Sequence, residues 1–86
     1  PWNFPINLVV IKLAPALLAG CTVVMKPASP TPLSTRFLVD AAAAAGFPPG
    51  VVNFLTGNGA AGDLLVRHPD VAKVAFTGST PVGRRI

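Results

Sequence analysis

Three acidic residues, one cysteine, one histidine and no tyrosine occur in this chain, and each scarcity removes a class of function. A single cysteine, Cys21, cannot form an internal disulfide; it fits a reducing compartment, so a cytoplasmic location is expected. One histidine without a cysteine pair leaves no ligand set for a transition metal, and no metal site is expected. Asp40, Asp63 and Asp70 read as solvated helix or loop positions, none of them placed to act as a general base. Charge is scarce altogether. Only 12% of the residues are charged and 51% are hydrophobic, against about 25% charged in an ordinary soluble chain. So few polar groups cannot clothe a small domain, which leaves much of its surface in water. The expectation is a partial domain, truncated at both ends. Pro1-Trp2-Asn3 has no initiator Met, and Arg84-Arg85-Ile86 stops within a helical pattern.

The seven cations give a net charge of +4 but are scattered along the chain. A nucleic-acid surface shows a basic stripe, often interleaved with stacking aromatics. Here Trp2 and the phenylalanines sit mostly in apolar runs, so no nucleic-acid partner is expected, only a mild attraction for small anions such as phosphate. The apolar stretch from Leu8 to Met25 approaches the ~20 residues of a membrane span. Lys12, Pro15 and Gly20 interrupt it, and a buried helix followed by a buried strand explains it better than a membrane segment.

Punctuation by proline and glycine divides the rest. Pro5 suits a first helical turn, a helix runs over 7–18, and Gly20 ends it, with Pro15 a potential kink. Residues 22–26 form a β-branched, apolar run closed by Pro27, which reads as a buried parallel strand. Thr31 is placed as an N-cap with Pro32 at the first helical position, and an Ala-rich helix over 33–45 stops at Gly46. A second strand is expected over 51–55, a helix over 60–67, a third strand over 71–76, and a helix beginning at Pro81. Alternation of this kind, with short loops, implies an α/β fold: a partial, three-stranded, Rossmann-like parallel sheet flanked by helices.

Ligands of such sheets bind beyond the carboxyl ends of the strands. The three expected strands end at Lys26-Pro27-Ala28-Ser29, at Thr56-Gly57-Asn58-Gly59 and at Thr77-Gly78-Ser79-Thr80. Glycine there lets backbone approach a ligand, and free N–H groups at a helix start attract phosphate. Each motif alone also has a plainer reading. Gly57-x-Gly59-x-x-Gly62 fits a dinucleotide fingerprint or is ordinary turn chemistry. Ser79 or Thr80 is a phosphate contact or an N-cap, and Lys26 a ligand contact or a solvated edge charge. His68 reads as a cation at a helix C-terminus. Cys21, next to an apolar strand and without a nearby base, reads as a packed, inert thiol.

The combination is far more specific than its parts. Pro1-Trp2-Asn3-Phe4-Pro5, Lys26-Pro27-Ala28-Ser29, Gly46-Phe47-Pro48-Pro49-Gly50-Val51-Val52-Asn53 and Phe76-Thr77-Gly78-Ser79-Thr80-Pro81-Val82-Gly83, in this order and spacing, resemble the aldehyde dehydrogenase superfamily over the whole chain. The resemblance implies part of an NAD(P)-binding domain, with a small aldehyde as substrate and a parent enzyme that forms homo-oligomers. It implies that Asn3 is the catalytic asparagine, donating to the aldehyde oxygen as the carbon becomes tetrahedral. It makes Lys26 the adenosine-ribose contact and Ser79, with Gly78 beside it, the pyrophosphate contact. Gly59 and Gly62 fall near the adenine pocket. The family's cysteine nucleophile and glutamate base would lie downstream of residue 86, so this stretch alone would be inactive. Many NAD-preferring members carry glutamate three residues after the lysine; here that position is Ser29, which leaves the site open to NADP and compatible with a preference for it. The competing reading is a non-catalytic nucleotide-binding or structural α/β module.

Overall fold

The computed structural model describes all 86 residues, and its order follows from where the chain can and cannot continue a helix. Helix α1 (Pro5–Leu18) starts with Pro5 in the first turn, where a missing N–H costs nothing, and it runs on through Pro15 without a break. Its C-terminus is closed by backbone alone. Gly20 takes φ 79°, which lets the Gly20 N–H reach Leu17 O and the Cys21 N–H reach Ala16 O, both at 3.0 Å. Helix α2 (Pro32–Ala44) ends in the same way: Gly46 at φ 90° sends its N–H to Ala43 O, and the Phe47 N–H follows to Ala42 O, both at 3.1 Å. A residue with a Cβ is strained at either glycine.

Strand β1 (Val23–Met25) and strand β2 (Val52–Phe54) pair in parallel, with Val23 opposite Val52 and Met25 opposite Phe54. The ladder is extended by Val23 N–H to Val51 O at 2.8 Å and Leu55 N–H to Met25 O at 2.9 Å. Helix α1 packs on β1, α2 packs on β2, and the two helices pack on each other. The buried residues Leu13, Met25, Pro27, Thr35 and Ala42 lie in these elements or just beyond β1. Asn53 adds a polar rivet that composition did not reveal. Its amide donates to Val23 O at 3.2 Å and to Gly50 O at 2.8 Å, tying β2 to both β1 and the loop before it.

Helix α3 (Gly59–Arg67) and helix α4 (Thr80–Arg85) complete the chain, and neither packs against another helix or strand. The third strand expected over 71–76 is not formed, and the sheet has two strands. The β-branched, apolar pattern is there, but a strand exists only where a neighbour supplies hydrogen bonds, and no segment of this chain pairs with 71–76. No helix is long and apolar enough to cross a membrane.

Candidate functional site

Parallel pairing puts the carboxyl ends of both strands at one edge, and the chain leaves that edge through two tight loops. They enclose a cleft of about 270 Å³ lined by Pro27, Ala28, Ser29 and Pro32 from one side and Thr56, Gly57 and Asn58 from the other. The loops are joined by the Ser29 hydroxyl, which donates to Gly57 O at 3.2 Å. Asn58 then starts α3, its Oδ1 accepting from the Ala60 and Ala61 N–H groups at 3.0 and 3.4 Å. Such a cap satisfies N–H groups that a helix start otherwise leaves bare.

Lys26 leaves the end of β1 and runs along α3. A Cβ at Gly62 would sit 3.6 Å from Lys26 Cδ and Cε, so the helix surface at Gly62 is the bed of the lysine stem. The ammonium donates to Pro27 O at 3.3 Å, a long bond that leaves its other donors free for a ligand. No carboxylate lines the cleft. The Asn58-capped N-terminus of α3 brings a partial positive charge to the cleft.

A larger depression of about 430 Å³ lies along the first turn of α1, lined by Asn3, Phe4, Pro5, Ile6, Asn7 and Val10. Its walls are sequence neighbours, whereas the smaller cleft gathers segments almost thirty residues apart. The smaller cleft is the better-built site. Asn3 stands exposed at the depression's edge, ahead of α1.

A family model described as "Aldehyde dehydrogenase family" matches residues 1–86. The chain belongs to the aldehyde dehydrogenase family. It is 61% identical over 87 residues to phenylacetaldehyde dehydrogenase of Pseudomonas fluorescens, covering 100% of this chain and 17% of that protein. It is 58% identical over 86 residues to geranial dehydrogenase of Castellaniella defragrans, covering 100% of this chain and 18% of that protein. Succinate-semialdehyde dehydrogenase [NADP(+)] of Escherichia coli is 52% identical over 87 residues, with 100% and 18% covered. This chain thus spans less than a fifth of the length of these aldehyde dehydrogenases.

Of the residues that the aldehyde dehydrogenase resemblance singled out, Ser29 lines the cleft, Lys26 lies against Gly62, and Gly59 is the first residue of α3. It does not bring Asn3, Gly78 or Ser79 into that cleft. Ser79 occupies the N-cap position of α4, but its side chain makes no capping bond. The Phe76 ring lies under this turn, against the places where Gly78 and Gly83 would carry a Cβ.

Three expectations change, and His68 gains a role in a turn. Cys21 is exposed rather than packed, because the turn at Gly20 carries it past the end of α1 before β1 begins. His68 holds the C-cap position of α3, as its place in the sequence suggested, and its Nδ1 accepts the Asp70 N–H at 3.2 Å, which shapes the turn that follows. Thr31 holds the N-cap position of α2 without a capping bond; its hydroxyl is buried and unpaired. Asp63 is no idle surface acid. It meets Arg67 Nε at 2.8 Å and Arg85 Nη2 at 3.4 Å, one carboxylate oxygen to each. The hydrogen bond from Arg67, reinforced by the charges of Arg67 and Arg85, holds its carboxyl below the usual carboxylate range despite partial desolvation. Sequence reading missed Asn58 as a cap, although an Asn just before a run of helix formers is a recognised signal.

Proposed function

We propose that this segment binds the adenosine end of NAD or NADP within an aldehyde-oxidising enzyme and supplies one oxyanion donor to its chemistry. The observation that carries the reading is the cleft at the carboxyl edge of β1 and β2, lined by Ser29 and by Asn58, the cap of α3, and by no carboxylate, with Lys26 just before it in the chain and laid against Gly62 of α3. Ligand pockets usually run to about 300–1,000 Å³; a cleft of about 270 Å³ would take one part of a dinucleotide. Lys26, its stem seated on Gly62, would hold the ribose hydroxyls, Gly59 would let the adenine lie close to the start of α3, and Gly78 and Ser79 would meet the pyrophosphate. Residues 71–76 would complete a third strand once the full-length protein supplies their neighbour.

The dinucleotide, when bound, supplies the hydride acceptor. The work of this chain's own residues is to bind, orient and polarise. Asn3 would donate its amide N–H to the aldehyde oxygen as the carbonyl carbon becomes tetrahedral. An amide suits that task because it stays neutral at any working pH and costs no reorganisation when charge develops. The nucleophile and general base would come from the remainder of the full-length protein. Exposed Trp2, Phe4, Leu18, Leu33 and Phe37 are the apolar surface that this remainder would cover. The relatives are named for geranial, phenylacetaldehyde and succinate semialdehyde, yet each aligns over all of this chain.

Ser29 leaves both cofactors acceptable. Its hydroxyl proton is engaged by Gly57 O in the structure, so a 2′-phosphate would have to draw it away while Lys26 supplies the charge. A carboxylate at that position would oppose a 2′-phosphate by about 1–3 kcal/mol. In the full-length protein, Lys26→Met should weaken both cofactors, and Ser29→Glu should selectively depress kcat/KM for NADP. Unchanged cofactor dependence in both variants would dismiss the cleft as the adenosine site.

A further inference from the structure

Helix α3 faces two ways at adjacent positions. At Gly62 it receives the stem of Lys26, and at Asp63 it reaches toward α4. The reach is made by side chains alone, because the two helices do not pack on each other. Of the ion pairs in the chain, the one between Asp63 and Arg85 is the only one that links separate elements. Arg67 takes the second oxygen of Asp63 from one turn along α3, which fixes the carboxylate rotamer with its free edge toward Arg85.

We propose that Asp63 is a positioning residue that ties α4 to α3 and so sets the placement of the Gly78-Ser79 turn relative to Lys26. The inference rests on the cofactor reading above. It adds that the two halves of the dinucleotide site are held in register by one carboxylate bridging two arginines. Asp63 touches no reacting atom, and its role is mechanical. An untied α4 samples more positions, and a cofactor must then bear the cost of fixing it on binding.

The test uses the full-length protein and two readouts. Hydrogen exchange of residues 72–86 is followed without cofactor, and dissociation constants for NADH and NADPH are measured by titration. Partly exposed ion pairs correspond to about 1.4- to 5-fold in an equilibrium. Asp63→Asn should therefore speed exchange in 72–86 and weaken both cofactors by about two- to five-fold, with kcat little changed. Asp63→Glu should restore most of the affinity. Arg85→Met should match Asp63→Asn, and the double variant should be no worse than either single one. Additive losses in the double variant, or unchanged exchange in 72–86, would overturn the proposal. Lys26→Met separates this from the reading beneath it. If that variant leaves cofactor affinity intact, the adenosine assignment fails; if it weakens affinity while Asp63→Asn does not, only the tie fails.

Discussion

Residues 5–55 and residues 56–86 are built by different means. The first region contains all five buried residues, both strands, two glycine-closed helices and the Asn53 rivet. The second contains two short helices, no buried residue and one ion pair between elements. The proposed site draws on both, since the Lys26 and Ser29 side belongs to the packed region and the Gly78-Ser79 side to the open one. The contrast teaches that similar helix and strand patterns reach different order depending on whether a neighbour is present to complete them.

The largest expected effect comes from a residue just ahead of the packed region, and it would show that this end of the chain is more than scaffold. Asn3→Ala in the full-length protein should lower kcat by about 10²–10³ with cofactor affinity nearly unchanged, since one oxyanion donor is worth that much. Steady-state kinetics beside cofactor titration checks it. An unaltered kcat would reduce Asn3 to a turn residue.

Core truncation tests the contrast directly. Leu13 is 8% exposed and Leu64 is 72% exposed. Leu13→Ala should cost about 2–5 kcal/mol, enough to unfold a chain with so small a core. Leu64→Ala should fall within about 0.5 kcal/mol. Denaturant titration of both variants in this chain decides the matter. The same pair in the full-length protein shows whether the open region gains cover there.

Removing a cap sharpens the comparison at its boundary. Asn58→Ala frees the Ala60 and Ala61 N–H groups and should cost about 1 kcal/mol, whereas Asn58→Ser should cost little. Loss of helical signal on cooling-to-heating scans, confined to the Asn58→Ala variant, is the expected record.

The smallest effect is electrostatic. The Asp63 carboxyl is held below its ordinary range in the folded chain, chiefly by the Arg67 hydrogen bond. A lowered folded value stabilises above the ordinary carboxylate range and is lost as pH falls through that range and below it. A slight acid-side decline in stability, absent in Asp63→Asn and muted by added salt, is expected.

Legibility followed the same divide. The helix ends at Gly20 and Gly46 and the two paired strands were readable because those signals act within a few residues. The loop sequences that meet at the cleft were readable as well, since parallel strands always bring their carboxyl ends to one edge. The strand at 71–76 had the right residues and still failed to form, because apolar alternation does not provide a partner. Cys21 misled because an apolar strand next door does not bury a residue lying outside it. Asp63 misled because its second partner, Arg85, lies beyond an entire loop.

By itself, the sequence determined the family, the α/β alternation, the positions of the glycine stops and the chemistry available at each loop. These depend on residue type and short spacing, which backbone sterics and local hydrogen bonds translate into shape. Only the tertiary structure decided that Lys26 rests on Gly62, that Ser29 closes onto Gly57, that Asn53 rivets the strands and that Asp63 reaches α4. Each of these is a meeting of side chains with groups distant in sequence or on another element, and such meetings exist only after the hydrophobic packing of α1 and α2 on the sheet, and the loops that follow it, have fixed where each segment lies.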